Sequence, residues 1–207
     1  MPPTKARRPI TSRDDFLASV DQALHHGNAP LALALADLDE FAVVNERHGY
    51  EAGDRVLSTW ERVLDSNLPA DADVIRLGGD EYAVVLPGLS VENALILLDE
   101  IRAHFAANDI PVVGTVTACV GVAANPPHGT SAEDLWRGAG QALMRAKRDG
   151  RDRLAIYVEE KMVMKSNYYS RADLDRLSKL SAATSRTEAS LLREALDGLI
   201  DKYRDQL

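Results

Sequence analysis

The chain is poor in cysteine, in long apolar runs and in patterned histidines, and each shortage excludes a class of protein. One cysteine, Cys119, among 207 residues excludes a disulfide framework and a metal cage built from several cysteines. The five histidines are scattered without the spacing of metal ligands. No run approaches the ~18 apolar residues that cross a bilayer, and the basic start MPPTKARRPI lacks the apolar segment of a signal peptide. We therefore expect a cytoplasmic protein without a membrane partner.

The chain does contain enough apolar residues for a folded core. It is 45% hydrophobic and 27% charged, which is not the composition of a disordered chain. Its net charge of -8 argues against a nucleic-acid partner, but the charge is unevenly distributed. Residues 1–160 hold 15 Lys and Arg against 25 Asp and Glu, whereas residues 161–207 hold 9 against 7. This change of sign predicts two domains, 1–160 and 161–207, with different partners.

Strand-like and helix-like patterns alternate as far as residue 158. The apolar run 31–36 predicts a buried strand that ends in Asp37. Helical spacing predicts three helices, at residues 52–64, 91–105 and 131–148. Runs rich in β-forming residues predict strands at 74–77, 82–86 and 154–158 and one long strand or hairpin at 112–124. The alternation predicts an α/β (α+β) domain in which helices flank a mixed central sheet.

Three acids fall where predicted strands end. Asp37 closes the first strand, and Asp80 and Glu81 follow two glycines at the tip of a predicted hairpin. Carboxylates that converge without His or Cys are ligands for a hard cation such as Mg²⁺. Acids at strand ends can also simply be solvated, and that alternative stays open for an isolated Asp-x-Asp. The paired glycines weigh against it, because they let the backbone approach a bulky ligand closely.

Motifs in a fixed order resemble those of the GGDEF family, the diguanylate cyclases. The signature turn is RLGGDEY at residues 76–82, and the matching segments extend over about residues 13 to 158. In chain order the motifs are Asp37–Phe41 with Asn45, His48–Asp54, Arg76–Tyr82, Val120–Ala123 and Ala146–Arg151.

The resemblance implies a nucleotide-cyclase palm-like fold and a metal-dependent enzyme. Such an enzyme condenses two GTP molecules, one on each of two facing domains, to cyclic di-GMP and pyrophosphate. The resemblance implies that Asp37, Asp80 and the carbonyl of Leu38 hold Mg²⁺, with Mn²⁺ as the alternative metal. Glu81 would help to deprotonate the attacking ribose hydroxyl.

The same resemblance implies a set of nucleotide contacts. Asn45 and Asp54 would read the guanine edge, and Phe41 would lie beside the substrate. Lys147 and Arg151, at i and i+4, would hold the triphosphate from one face of a helix.

The chain also departs from the family pattern. Ala42 stands where a lysine is usual, Tyr82 replaces a phenylalanine, and Gly140 stands where an aspartate is frequent. No metal ligand is lost, so we expect an active site. The stretch 69–72 lacks the Arg-x-x-Asp of the family's product-inhibition site, and feedback inhibition by that route is not expected.

Residues 161–207 follow a different pattern. One strand-like segment at 162–169 precedes a helix that starts at Ser170, a break at 182–185, and a capping box, Ser185–Glu188, that opens a last helix. We expect the leucines of both helices to point inward. About 45 residues cannot bury enough surface to be stable alone, so this tail should pack on the first domain or dimerise.

The segment Met164–Tyr203 resembles the ribbon-helix-helix (CopG/Arc-like) DNA-binding domains. In these β-α-α domains, one strand from each of two chains forms a ribbon that lies in the major groove. The resemblance implies base contacts from Lys165, Asn167 and Tyr169, and phosphate contacts at the helix start from Ser185 and Thr187. The alternative is a dimerising tail that never contacts DNA.

The sequence thus predicts a diguanylate cyclase fused to a DNA-binding module. It would be a homodimer or higher oligomer in the cytoplasm, associated with the nucleoid through DNA. A second hypothesis is a DNA-binding regulator whose GGDEF-like domain senses GTP or cyclic di-GMP without turnover. The intact acids Asp37, Asp80, Glu81 and Asp54, together with Asn45, favour the enzyme.

Overall fold

Five strands form one mixed sheet with the first strand at its centre. The strands are β1 (Leu31–Leu38), β2 (Asp73–Gly78), β3 (Glu81–Pro87), β4 (Ala118–Asn125) and β5 (Leu154–Ile156). Their order is β2-β3-β1-β4-β5, in which β1 pairs antiparallel with both neighbours and β4 pairs parallel with β5. The computed structural model describes residues 12–26, 30–159 and 168–203, and the chain divides into two compact units, Met1–Glu160 and Lys161–Leu207.

Helices cover both faces of this sheet. They are α1 (Arg13–His26), α2 (Phe41–His48), α3 (Tyr50–Asn67), α4 (Val91–Ala106) and α5 (Ala132–Arg148). The alternation of leucine and alanine in β1 separates two cores, because successive strand residues face opposite sides. The leucines at 31, 33 and 35 pack with α1 and α5, and the alanines at 32, 34 and 36 pack with α3 and α4. The small alanines leave room for Trp60, Tyr82 and Phe105 on their side.

The predicted mixed sheet flanked by helices is confirmed, as are most of its elements. Ser90 caps α4, since its hydroxyl accepts the N–H of Asn93. Helices α1 and α2 were not predicted; α2 carries only two buried residues among those described, so its apolar pattern is weak. No helix among the described residues is long and apolar enough to span a membrane.

The prediction of one long strand or a hairpin at 112–124 is wrong in its first half. The strand starts at Ala118, and residues 110–114 form a turn closed by the bond from Gly114 N–H to the Ile110 carbonyl, at 2.8 Å. Val112 and Gly114 have φ angles of 76° and 85°, which are incompatible with an extended strand.

The second unit contains two helices, α6 (Arg171–Thr184) and α7 (Glu188–Lys202). The helix predicted to start at Ser170 is α6, and Ser170 is its N-cap. The predicted break at 182–185 is too early, because α6 continues to Thr184 and Ser185 alone takes a left-handed φ of 54°. The capping box at Ser185 is also wrong: the hydroxyl of Thr187 accepts the N–H of Ser190 at 3.2 Å.

Most leucines of this unit, which were expected to point inward, are exposed to solvent in the single chain. The exposed large apolar residues of the described tail include Leu174, Leu180, Leu192, Leu196, Leu199 and Ile200. The predicted strand at 162–169 lies outside the described residues as far as Asn167, and Tyr168 and Tyr169 have irregular backbone.

Candidate active site

The predicted acids meet at one end of the central strand. Asp37 lies directly opposite Glu81 on β3 and directly opposite Cys119 on β4. Directly opposite residues in antiparallel strands face the same side, with Cβ atoms about 5 Å apart. The backbone N–H of Leu38 donates to the carbonyl of Asp80 at 3.3 Å, which ties the hairpin tip to the end of β1. The fold therefore brings Asp37, Leu38, Asp80 and Glu81 together.

The hairpin that carries Asp80 has a fixed turn. Gly79 takes a left-handed φ of 55°, which glycine adopts without strain. The guanidinium of Arg76 donates twice to the Gly79 carbonyl, at 2.9 and 2.5 Å. Asp80 is half-buried and Glu81 is exposed, so both carboxylates remain accessible at the tip.

The departure at Tyr82 has a structural explanation. Its ring is buried at 1% exposure, and its hydroxyl donates to Glu61 at 2.9 Å. Burial and then the Glu61 carboxylate raise the pKa of this hydroxyl, which therefore stays protonated. Glu61 thus satisfies a hydroxyl that a phenylalanine would not bring into the core.

Asp37 is a buried charge. It is 8% exposed, which contradicts the alternative of a solvated acid. Burial raises its pKa most, and the nearby Asp80 and Asp39 raise it further, whereas the ammonium of Lys147, 2.7 Å away, opposes the shift. The site therefore holds more negative charge than Lys147 balances.

These acids suit a divalent cation that keeps other ligands. Within the described residues, no group of three or more His, Cys, Asp or Glu side chains forms a metal cage by itself. Mg²⁺ typically takes one or two carboxylates and completes its shell with water and substrate phosphate. On the hairpin, Asp80 is the acid whose charge raises the pKa of Asp37, and a cation at this edge would relieve the repulsion between these two carboxylates.

The two predicted phosphate-binding cations do not share a helix. Helix α5 ends at Arg148, and Arg151 lies beyond Gly150 in left-handed backbone with φ of 60°. The prediction of one helix face is therefore wrong. The loop nevertheless brings Arg151 Nε to 3.9 Å from Asp39, beside the pair of Lys147 and Asp37.

Asp39 is a site residue that the sequence interpretation missed. It is 7% exposed, and its carboxylate accepts hydrogen bonds from the Thr117 hydroxyl, the Cys119 thiol and the backbone N–H of Asp152. Asp39 lies in the turn directly after β1, so strand alternation alone does not place it. The hydrogen bond from the thiol of Cys119, the residue directly opposite Asp37, puts its carboxylate on the side of Asp37.

The predicted guanine-reading residues lie on the next two helices. Asn45 is half-buried on α2, and Asp54 is exposed near the start of α3. Gly53 lets α2 approach α3 closely, because a Cβ at this position would lie 2.0 Å from Asn45 Oδ1 and 3.3 Å from Phe41 Cζ. Phe41 is 8% exposed and belongs to the core, so its side chain faces protein rather than an open cleft.

The predicted DNA contacts are only partly described. Tyr169 is exposed just before α6, and Ser185 and Thr187 are exposed between α6 and α7. Lys165 and Asn167 lie outside the described residues.

Comparison with protein families and with curated proteins finds diguanylate cyclases in both cases. A family model described as diguanylate cyclase, GGDEF domain, matches residues 10–153. Diguanylate cyclase DgcP of Pseudomonas aeruginosa is 36% identical over 135 residues, which are 64% of this chain and 20% of DgcP. A diguanylate cyclase of Vibrio cholerae is 33% identical over 129 residues, 62% of this chain and 40% of that protein. The chain thus spans less than half the length of these two relatives.

Solved structures show the same fold. The active GGEEF domain of a diguanylate cyclase from Vibrio cholerae superposes with a TM-score of 0.68 at 29% identity, covering 73% of this chain and 100% of that one. The GGDEF domain of DgcB from Caulobacter crescentus, solved in complex with c-di-GMP, gives a TM-score of 0.66 at 25% identity, covering 73% and 98%.

Proposed function

The chain belongs to the GGDEF family of diguanylate cyclase domains, and from this we propose that it condenses two GTP molecules to cyclic di-GMP and pyrophosphate. One observation carries the proposal for this chain in particular. The buried carboxylate of Asp37 lies 2.7 Å from Lys147, directly opposite Glu81, on the strand whose end is bonded to Asp80. This arrangement offers acids for a cation and a cationic side chain for phosphate at the same sheet edge.

Asp37, Asp80 and the carbonyl of Leu38 would hold Mg²⁺ or Mn²⁺, for the reasons of charge given above. When bound, the metal supplies charge neutralisation for the phosphoryl group that is transferred. Glu81, exposed at the tip, accepts the proton of the attacking ribose hydroxyl. Lys147, whose Nζ is 2.7 Å from Asp37, would be available to the triphosphate once a bound cation neutralises that carboxylate.

The base and the phosphates are held at different ends of the nucleotide. The carboxylate of Asp54 accepts hydrogen bonds from guanine N1–H and N2–H₂, and Asn45 binds the same base edge. Adenine has no donor at these two positions, so it would leave the acid unpaired and is disfavoured for that reason. Arg151 binds phosphate together with Lys147. Because the Phe41 side chain is in the core, Phe41 contributes to nucleotide binding through its backbone N–H at the start of α2, where no described side chain caps the helix.

The reaction needs two such domains face to face, and the tail supplies a means to join them. Exposed leucines on α6 and α7 form an apolar surface that one chain leaves in water. We propose that residues 161–207 pair with a second copy of the chain, which buries this surface and raises the effective concentration of the two cyclase domains.

Incubation of the purified chain with GTP and Mg²⁺ tests the enzyme directly. We expect cyclic di-GMP and pyrophosphate, loss of product in Glu81→Gln, and no product from ATP. Exposed Glu100→Gln on α4 is the matched control and should behave as the native chain. If native protein forms no cyclic di-GMP at any concentration but binds GTP or cyclic di-GMP, the sensor hypothesis replaces the enzyme.

The ribbon-helix-helix assignment is a separate proposal, supported by the two capped helices, their exposed leucines and the +2 charge of the tail. In it, Lys165, Asn167 and Tyr169 contact bases, and the start of α7 at Ser185 and Thr187 contacts phosphate. Nucleoid association would follow. Selection of bound sequences from a random duplex pool should yield a two-fold symmetric site.

The full-length chain with Lys165→Ala and Asn167→Ala should lose affinity for that site by about tenfold or more, since each base contact contributes about 1–3 kcal/mol. Lys179→Ala on α6 is the control. No selected sequence, or equal affinity of the double variant, would leave a dimerising tail that does not bind DNA.

A further inference from the structure

Asp39 has bonds that a metal ligand would not have. Its Oδ2 accepts the Thr117 hydroxyl at 2.7 Å and the Asp152 N–H at 3.0 Å, and its Oδ1 accepts the Cys119 thiol at 3.1 Å. A carboxylate has about four acceptor positions, so three are already committed to protein donors. Although Asp37 and Asp39 face the same side, only the first has the open coordination that a cation needs.

The loop that Asp39 contacts has an unfavourable backbone. Gly150, Arg151 and Asp152 have successive φ angles of 116°, 60° and 46°. For the two residues that carry a Cβ, such angles cost about 1–3 kcal/mol each and persist only where neighbours enforce them. Two neighbours do so here: Asp39 accepts the N–H of Asp152, and Arg102 donates to its carbonyl at 3.1 Å.

This loop carries Arg151, which faces one of two acids at the end of β1. Asp37 is in β1, and Asp39 lies in the turn directly after it. Lys147 and Arg151 are the two cations that face them, with Nζ to Oδ2 of 2.7 Å and Nε to Oδ1 of 3.9 Å. The longer second distance is an electrostatic contact, not a hydrogen bond, and the Arg151 side chain is 53% exposed.

We propose that Asp39 is a positioning residue for nucleotide binding. By fixing Asp152 N–H and attracting the guanidinium, it holds the strained loop so that Arg151 faces the phosphates. The two acids of the Asp-x-Asp segment then have different tasks: Asp37 binds the cation and Asp39 sets the phosphate-binding arginine. The inference rests on the proposed function, since that function assigns the phosphates to Arg151.

Asp39→Ala tests the loop without any nucleotide. Thr117 and Asp152 both donate to Oδ2, so an asparagine oxygen in that position would keep both bonds, whereas alanine removes both acceptor oxygens and with them the hydrogen bond from Asp152. We expect the Asp152 amide to exchange its hydrogen about tenfold faster or more, whereas the Ala34 and Val84 amides in the central sheet keep their native rates. Unchanged exchange at Asp152 would overturn the proposal.

Binding of a non-hydrolysable GTP analogue in a double-mutant cycle tests the link to Arg151. We expect Arg151→Ala to weaken binding about tenfold or more, Asp39→Ala to weaken it similarly, and the double variant to be no weaker than Arg151→Ala alone. The Mg²⁺ concentration that half-saturates binding should shift in Asp37→Asn but not in Asp39→Ala. Additive losses from the Asp39 and Arg151 changes would overturn the proposal.

Thr117→Val keeps the test decisive if Asp39→Ala does not fold. It removes the hydroxyl that orients Asp39, and we expect a loss of analogue affinity of about threefold that Thr117→Ser restores. Equal affinity in Thr117→Val and native protein would count against the proposal. If native protein binds the analogue but forms no cyclic di-GMP, the proposed enzyme fails while the mutant cycle still decides the role of Asp39.

Discussion

Gly121 on β4 lies where helix α5 touches the sheet most closely. A Cβ at this position would lie 2.2 Å from the Ala139 carbonyl oxygen, 2.2 Å from Leu143 N and 2.7 Å from Leu143 Cα. All three are backbone atoms of α5, so no side-chain rotation can relieve the clash. Because carbon contacts are most favourable at about 3.5–4.0 Å, Gly121→Ala must push the helix away by roughly 1 Å or more.

The size of the effect follows from this displacement. Overpacking of a filled core costs about 1–3 kcal/mol, and each kcal/mol lowers the Tm of a domain of this size by about 2–4 °C. We therefore expect Gly121→Ala to melt about 2–12 °C below the native chain in a calorimetric or circular-dichroism melt. Lys147, one turn after Leu143, should also move from Asp37, and GTP turnover should fall.

Gly140, on α5 itself, is the matched control. A Cβ there meets Leu35 Cδ1 at 3.8 Å, an ordinary contact. Alanine is favoured over glycine inside a helix by about 0.5–1 kcal/mol, so Gly140→Ala should raise the Tm by about 1–4 °C. If Gly121→Ala melts at or above the native Tm, α5 does not pack on β4 as described and the reasoning is refuted.

Three further predictions concern buried polar groups. Asp37→Asn should abolish GTP turnover yet raise the Tm by about 1–4 °C. The pKa of Asp37 is higher in the folded than in the unfolded chain, which means that its charge destabilises the fold at neutral pH. The Tm difference between variant and native chain should therefore narrow as the pH falls and Asp37 takes up its proton, and a variant Tm below the native one at pH 7 would contradict this. Burial and Asp39 raise the pKa of Cys119 to about 12. The thiol of the native protein should therefore not react with a thiol reagent at pH 8, whereas the thiol of the urea-unfolded protein should react fully. Rapid stoichiometric labelling of the native protein would be inconsistent with the structure. Tyr82→Phe should lower the free energy of unfolding by only about 0.5–1.5 kcal/mol and keep turnover, because the exposed Glu61 can be hydrated instead. Tyr82→Ala should lower the free energy of unfolding by about 3–5 kcal/mol in urea unfolding. Equal losses in the two variants would show that the hydroxyl matters more than the ring.

The sequence predicts those parts of the fold that depend on local pattern. The alternation in LALALA gives both the strand and its two faces, and the glycines before Asp80 give the hairpin. The order of the motifs predicts the family and brings Asp37 close to the hairpin tip before any coordinate is known. These features are readable because each is set by residues within a few positions of one another.

Much of what the sequence does not predict depends on contacts between distant segments. The left-handed backbone at Arg151 is held by the hydrogen bond from the next residue's N–H, that of Asp152, to the Asp39 carboxylate. Asp39 and Asp152 lie 113 positions apart in the sequence. Gly150 marks the end of the helix, but no local pattern predicts left-handed backbone at Arg151 and Asp152. Val112 departs from its strand propensity for a local reason, because the bond from Gly114 N–H to the Ile110 carbonyl closes a turn with a positive φ. A tertiary hydrogen bond overrides propensity in the first place and a local turn does so in the second.

The central position of β1 has a consequence for the order in which the site is completed during synthesis. β1 leaves the ribosome before either partner strand, and its exposed edges await residues 81–87 and then 118–125. The acids of the cation site can meet once the hairpin has emerged, but Lys147 and Arg151 arrive after the whole sheet except β5. A nascent chain paused in this interval presents clustered negative charge and an unpaired strand edge, the kind of surface that recruits chaperones or aggregates. Ribosome-bound chains in which residues 73–87 have emerged and residues 118–125 have not should therefore be the most protease-sensitive and the most dependent on chaperones.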